Sequence, residues 1–250
     1  SWWSALKLPK SLDNQPYPGY SYAYFQPGKY EPTVGKGNLN QDSHLMKTIS
    51  QLNELPGVSY ILFKWFLLSD EPAPTSSFQS STYGHSKGIL AYTDSDAIYI
   101  THSIPKFPSV QNETGNSHLV VLSIDESQTV YGQSMMCVHM SPQTLFEIAG
   151  LMTLNRPEVY YSSIKTPNGN ITHLISKQKT NYNLDSAELS FSSGSFSFQY
   201  FSKNGDADLD FWEDVVSKYY DTGFLVETWG RPYLPSYCKP KYSHQVLNIR

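Results

Sequence analysis

The chain has 250 residues, enough for one large domain or two closely joined halves with a substantial core. Hydrophobic residues make up 39% and charged residues only 16%, with 19 Tyr, 12 Phe and 5 Trp, which excludes a disordered chain. The longest apolar run, Tyr60 to Leu68, is broken by Lys64 and falls well short of the ~20 residues of a membrane helix. A formal charge of −4 gives no general attraction for a polyanion at neutral pH, but protonating all seven histidines would turn −4 into +3.

In chain order, Trp2 to Leu8 and Tyr20 to Phe25 read as strands, closed by Pro9 and by Pro27-Gly28. Asp42 to Leu55 carries apolar residues at helical spacing and is stopped by Pro56-Gly57. A buried strand is predicted over Val58 to Leu68, followed by a polar loop from Ser69 to Thr82. Ser86 to Thr93 and Ala97 to Thr101 read as paired strands joined at Asp94-Ser95-Asp96, and Ser134 to Met140 as a further strand. Ser141 caps a helix that starts at Pro142 and runs to about Leu154. Beyond it the pattern predicts strands near 171–177, 187–191 and 196–202. A helix from about Asp208 to Tyr220, capped by Asp206 or Asp208, and a strand from Phe224 to Trp229 follow. Strands mixed with helices in both halves predict an α+β protein in two lobes, 1–154 and 155–250.

"YGHSKGILAYTD", Tyr83 to Asp94, holds the chemistry. On a strand His85 and Lys87 share a face, and Gly84 and Gly88 would leave room for a ligand. An imidazole can attack phosphorus if its other nitrogen is held, and an ammonium beside it can neutralise a phosphate oxygen. No metal or other cofactor is needed for this. Hydrolysis through such an intermediate also needs a proton donor for the leaving oxygen, a role that a second His-x-Lys would fill.

The surrounding segments resemble the deoxyribonuclease II family of acid endonucleases. These are "WWSALKLPK", "GYSYAYF", "GHSKGIL", "THSIPKFP", "YGQSMMCV", "FSKNGD", "ETWGRPYLPSYC" and "HQVLNI", spread over nearly the whole chain. The resemblance implies a phospholipase D-like fold of two pseudo-symmetric lobes, each a mixed sheet flanked by helices and each supplying one His-x-Lys. It implies metal-independent hydrolysis of double-stranded DNA at acid pH, leaving 3′-phosphate ends. His85 becomes the first-lobe histidine and Lys87 its phosphate-binding partner. His102, in a matched segment, and Arg231, beside Trp229 and Gly230, become candidates for substrate binding.

The pattern departs from the family in one respect. None of His44, His102, His118, His139, His173 or His244 has a lysine two residues on, so the second His-x-Lys is absent from these 250 residues. The expectation is a second lobe that is incomplete here, a chain inactive alone, and a first residue, Ser1, produced by processing or trimming. A separate C-terminal fragment of the same precursor would be a partner. The alternative is a secreted, catalytically inactive homologue that acts by binding. By residues alone three states are open to Cys137 and Cys238: paired with each other, free, or paired outside the chain; the resemblance implies disulfides to cysteines outside it. The sequons at Asn112 and Asn170 fit exposed loops of a glycosylated, secreted or lysosomal protein.

Overall fold

The computed structural model describes residues 1–12, 14, 16–35, 37–41, 43–53, 63–72, 84–112, 118–121, 123–163, 169–176, 184–227 and 234–249. The chain is α+β. Its largest unit is an eight-stranded sheet whose hydrogen-bonded neighbours are all antiparallel. Across that sheet run β10 (Val159–Ser162), β4 (Lys64–Ser69), β5 (Lys87–Tyr92), β6 (Ala97–His102), β9 (Gln133–Met140), β1 (Trp2–Lys7), β2 (Tyr22–Phe25) and β3 (Thr33–Gly35). Every residue of β5 is buried, as expected of an inner strand covered on both faces.

Alternation along the strands separates two cores. Trp65, Leu67, Ile89, Ala91 and Ile100 face α1 (His44–Ile49), whose Leu45 and Ile49 are spaced to meet them. Phe66, Leu68, Leu90 and Tyr92 face α2 (Pro142–Met152), which buries Leu145, Ile148, Ala149 and Met152. Ser141 caps α2 by accepting the Thr144 N–H at 3.1 Å, as its place before Pro142 predicts. The hairpin β11 (Ser186–Ser193) and β12 (Phe196–Lys203) packs on this second side through Leu189, Phe191, Phe198 and Tyr200. Among the named strands, parallel pairing is confined to β13 (Phe224–Glu227) with β14 (Val246–Ile249). A further pair, β7 (Ser109–Asn112) with β8 (His118–Val121), is antiparallel. The expected division at 154/155 falls just ahead of β10, which pairs with β4.

The strand expected near 171–177 is instead α3 (Gly169–Ile175), with residue 177 outside the described residues. Ile171 and Leu174 lie three apart and are both buried, so helical spacing prevails over the short apolar run. The Asn170 sequon therefore sits in a helix and not in a loop. Asn170 Nδ2 donates to Phe146 O at 3.0 Å, and a Cβ at Gly150 would come within 2.8 Å of that nitrogen. A glycan on Nδ2 would leave a single N–H for this bond, at a nitrogen packed against Gly150. Asn170→Ala is expected to lower stability by about 1–2 kcal/mol, read as a lower denaturant midpoint at unchanged slope.

The helix expected from Asp208 begins at Phe211 as a π-helical stretch to Val216 and continues as α4 (Ser217–Tyr220). Its cap is Asp210, neither Asp206 nor Asp208: Asp210 Oδ1 accepts from Trp212 N at 2.9 Å and Glu213 N at 2.8 Å. The helix expected from Asp42 to Leu55 is described as α1 and a 3-10 turn, Ser50–Leu52; residues 42, 54 and 55 lie outside the described residues. So do positions 58–62 of the expected strand that ends at Leu68. Among the described residues no helix is long and apolar enough to cross a membrane.

Candidate active site

Antiparallel pairing of β4 with β5 sets Ser69 opposite Lys87. The chain leaves β4 through Asp70 and Glu71, so two carboxylates emerge where Lys87 begins its strand. Lys87 Nζ lies 2.9 Å from Asp70 Oδ1 and 2.9 Å from Glu71 Oε2, with the lysine side chain only 3% exposed. A buried ammonium needs such partners, because leaving one uncompensated is strongly unfavourable.

His85 does not lie on the strand. It occupies a bend two residues before β5, so strand alternation is not what aligns it with Lys87. Asp70 does this: its Oδ2 is 2.6 Å from His85 Nδ1, and its Oδ1 holds Lys87. A carboxylate only accepts, so Nδ1 carries a proton and donates it. In the neutral ring Nε2 then keeps its lone pair, on a side chain that is 80% exposed.

The two flanking glycines are explained by protein packing, contrary to the expectation that they leave space for a ligand. A Cβ at Gly84 would lie 2.1 Å from Asn155 O, and one at Gly88 would lie 2.9 Å from Ile100 O. Neighbouring backbone already fills both positions. Gly84→Ala is expected to be strongly destabilising, by about 2 kcal/mol or more, in a thermal melt.

On the other side of β5, Gly88 faces Thr101, and the next residues outward are Lys87 and His102. His102 is buried, with its ring edge-on to Phe107. Its Nδ1 accepts the Ile104 N–H at 3.2 Å, which places the ring proton on Nε2. That Nε2–H is buried and has no hydrogen-bond partner among the described residues. Burial, reinforced by the Lys87 charge, pushes the pKa of His102 down from 6.5 to about 3, so the ring stays neutral.

One ligand atom from each of Asp70, Glu71 and His85 falls within 4.8 Å of the others, a grouping that could hold a cation. The Lys87 ammonium already bridges both carboxylates there and carries the positive charge. Residues 228–233, which include Trp229, Gly230 and Arg231, lie outside the described residues. The site partners missed in the sequence are Asp70 and Glu71. The one local signal was Asp-Glu directly after an apolar strand; the pairing that sets it beside Lys87 is non-local. Cys137 and Cys238 are not paired with each other; Cys137 is buried on β9 opposite Trp3, and burial pushes its thiol up to about 12.

At the end of an inner strand of an α+β fold, then, an exposed imidazole is braced by a carboxylate that also holds a buried ammonium. These are the parts of a nucleophilic site for an anionic substrate. The family model for deoxyribonuclease II matches residues 1–250, and the chain belongs to that family, whose fold is phospholipase D-like. It is 26% identical over 263 residues to deoxyribonuclease-2-alpha of Rattus norvegicus, covering 99% of this chain and 71% of the rat protein. It is 29% identical over 178 residues to deoxyribonuclease-2 of Caenorhabditis elegans, covering 68% of this chain and 45% of the nematode protein. Plancitoxin-1 of Acanthaster planci is 24% identical over 239 residues, with 91% and 64% of the two chains covered.

Proposed function

We propose that the protein is a deoxyribonuclease II-like endonuclease that hydrolyses double-stranded DNA through a phosphohistidine on His85. The observation that carries this reading is the shared Asp70 carboxylate, with His85 Nδ1 on one oxygen and Lys87 Nζ on the other. His85 Nε2 attacks phosphorus, and the P–O5′ bond breaks as the N–P bond forms. The 5′ oxygen leaves with a proton, and the 3′ phosphate stays on the enzyme. Water then attacks phosphorus, loses a proton to a base, and breaks the P–N bond to release a 3′-phosphate end. Lys87 neutralises a non-bridging oxygen, the task a divalent ion performs in other nucleases. The His102 Nε2–H, which meets no acceptor among the described residues, would donate to a phosphate oxygen that entered beside Lys87.

No other histidine of the 250 residues has a lysine two positions on. The proton donor and the water-activating base are therefore assigned to a second His-x-Lys outside them, and these residues alone would not turn over. The family, and the positive charge gained as exposed histidines such as His85 protonate in acid, support work in a secretory or lysosomal compartment. The test is cleavage of plasmid DNA by the full-length protein at acid pH in excess chelator. Cutting to 3′-phosphate ends, with an acid-labile phosphoryl group trapped on His85, is the expected result. Full-length protein that leaves plasmid intact across the pH range overturns the reading.

A further inference from the structure

The segment Asn155 to Glu158 between α2 and β10 takes no part in the chemistry proposed above, yet it touches both strands of the site and the end of β12. Gly84 N donates to Arg156 O at 3.0 Å, and Gly84 pairs with Pro157 as an isolated parallel bridge. Ser69 N donates to Glu158 O at 2.9 Å. Each bond fixes the residue immediately before a site residue, Gly84 before His85 and Ser69 before Asp70.

The side chains of the same segment grip the end of β12. Asn155 Oδ1 accepts from Ser202 Oγ at 2.7 Å and from Lys203 N at 3.1 Å, and Ser202 is fully buried. The Arg156 guanidinium is paired with Asp206, just past β12. Arg156 has φ of 48°, a left-handed backbone that a side chain bearing Cβ adopts at a cost of about 1–2 kcal/mol. A non-glycine residue stays in that conformation when its surroundings over-determine it. Here the Gly84 N–H on its carbonyl and Asp206 on its guanidinium do so.

We infer that Asn155 and Arg156 are positioning residues. They form a strap that transmits the placement of the β11–β12 hairpin to the spacing of His85 and Asp70, so the hairpin sets the geometry of the nucleophile. This rests on the nuclease reading of His85, and it is tested by a readout that needs no turnover. In full-length protein, Asn155→Ala removes the acceptor for Lys203 N and one of the two for Ser202 Oγ, which also reaches Leu151 O at 2.7 Å. The expected result is a kcat lowered about tenfold to a hundredfold at unchanged KM for DNA, as a slight misplacement of a reacting group produces. The His85 Nδ1 signal in ¹⁵N NMR, which reports the bond to Asp70, should shift, and the Gly84 amide should lose exchange protection. Asn155→Asp keeps an oxygen acceptor for both donors and should restore all three. Asp206→Asn, which takes the charge partner from the Arg156 guanidinium and leaves Asn155 in place, should give a smaller effect in the same direction.

The inference is overturned if Asn155→Ala leaves the His85 signal where it was, or moves it without changing kcat. Equal damage from Asn155→Ala and Asn155→Asp also overturns it, since that would mark a merely structural role. An inactive wild-type protein sinks the nuclease reading instead, and the NMR comparison still decides whether the strap positions His85.

Discussion

Asp70→Asn should lower kcat in the full-length protein by roughly 10²–10⁴-fold, close to the loss from His85→Ala, with little change in KM for DNA. The carboxylate has two duties that an amide cannot discharge together. It accepts the Nδ1 proton of His85 at 2.6 Å, which leaves Nε2 bare for attack, and it neutralises Lys87 at 2.9 Å. An asparagine that turned its oxygen to Lys87 would offer an N–H to Nδ1, and the ring proton would move to Nε2, where the lone pair is needed. An asparagine that turned its oxygen to His85 would leave Lys87 with Glu71 as its remaining ion-pair partner of the two. Stability should fall as well, by about 1–3 kcal/mol, because Lys87 is almost fully buried. Glu71→Gln makes the useful comparison: Glu71 touches Lys87 but not His85, and its side chain is about half exposed. It should cost some Lys87-dependent rate and leave His85 as nucleophile. Were Asp70→Asn to cut DNA as fast as wild type, the activation of His85 assigned to this carboxylate would be wrong.

The contrast between Asp70 and His85 shows how much of the site could be read in advance. Gly-His-Ser-Lys-Gly is a local string, and a neighbourhood of matched segments raised it above chance. Asp70 lies fifteen residues upstream in what reads as a polar loop, and only the pairing of Ser69 with Lys87 makes it a neighbour. Register is a non-local property, so one sequence without strand pairing hides it. The glycines misled for the same reason. A missing Cβ reads as free space, but Asn155 O and Ile100 O occupy that space from distant parts of the chain. Elements with a strong local signal, such as the Ser141 cap with Pro142 and the apolar β5, stand close to where the sequence puts them, and β4 ends one residue past the expected Leu68. The stretch at 171–175 is short and apolar, where strand and helix spacing compete, and the helix prevails by burying Ile171 and Leu174 in one core with Leu145, Ile148, Ala149 and Met152 of α2.

The largest pH effect is expected at His102. In the folded protein its pKa is about 3 against 6.5 for a free histidine, because burial and the neighbouring Lys87 disfavour a second positive charge. Below pH 6.5 the unfolded chain therefore binds a proton that the folded chain refuses, so stability falls as pH falls, at about 1.4 kcal/mol per pH unit from this one group. Over two units that is about 3 kcal/mol, a large share of the 5–15 kcal/mol typical of a domain. The sign is that of a depressed folded pKa: the contribution is complete above 6.5 and is lost progressively on the way to 3. His102→Asn keeps an acceptor near the Ile104 N–H and removes the titration. At neutral pH the variant should be less stable than wild type, by about 1–3 kcal/mol for the cavity left by the ring. In acid the two denaturation curves should converge, and the difference between them should shrink with that slope. Parallel curves would mean that folded His102 takes up its proton like a free imidazole, and its neutral state beside Lys87 would have to be abandoned. If they converge, the protein retains a residue that weakens it in acid, the condition in which the proposed chemistry runs. The Nε2–H meets no acceptor among the described residues; under the proposed function a phosphate beside Lys87 would supply one, so inorganic phosphate should stabilise wild type more than His102→Asn.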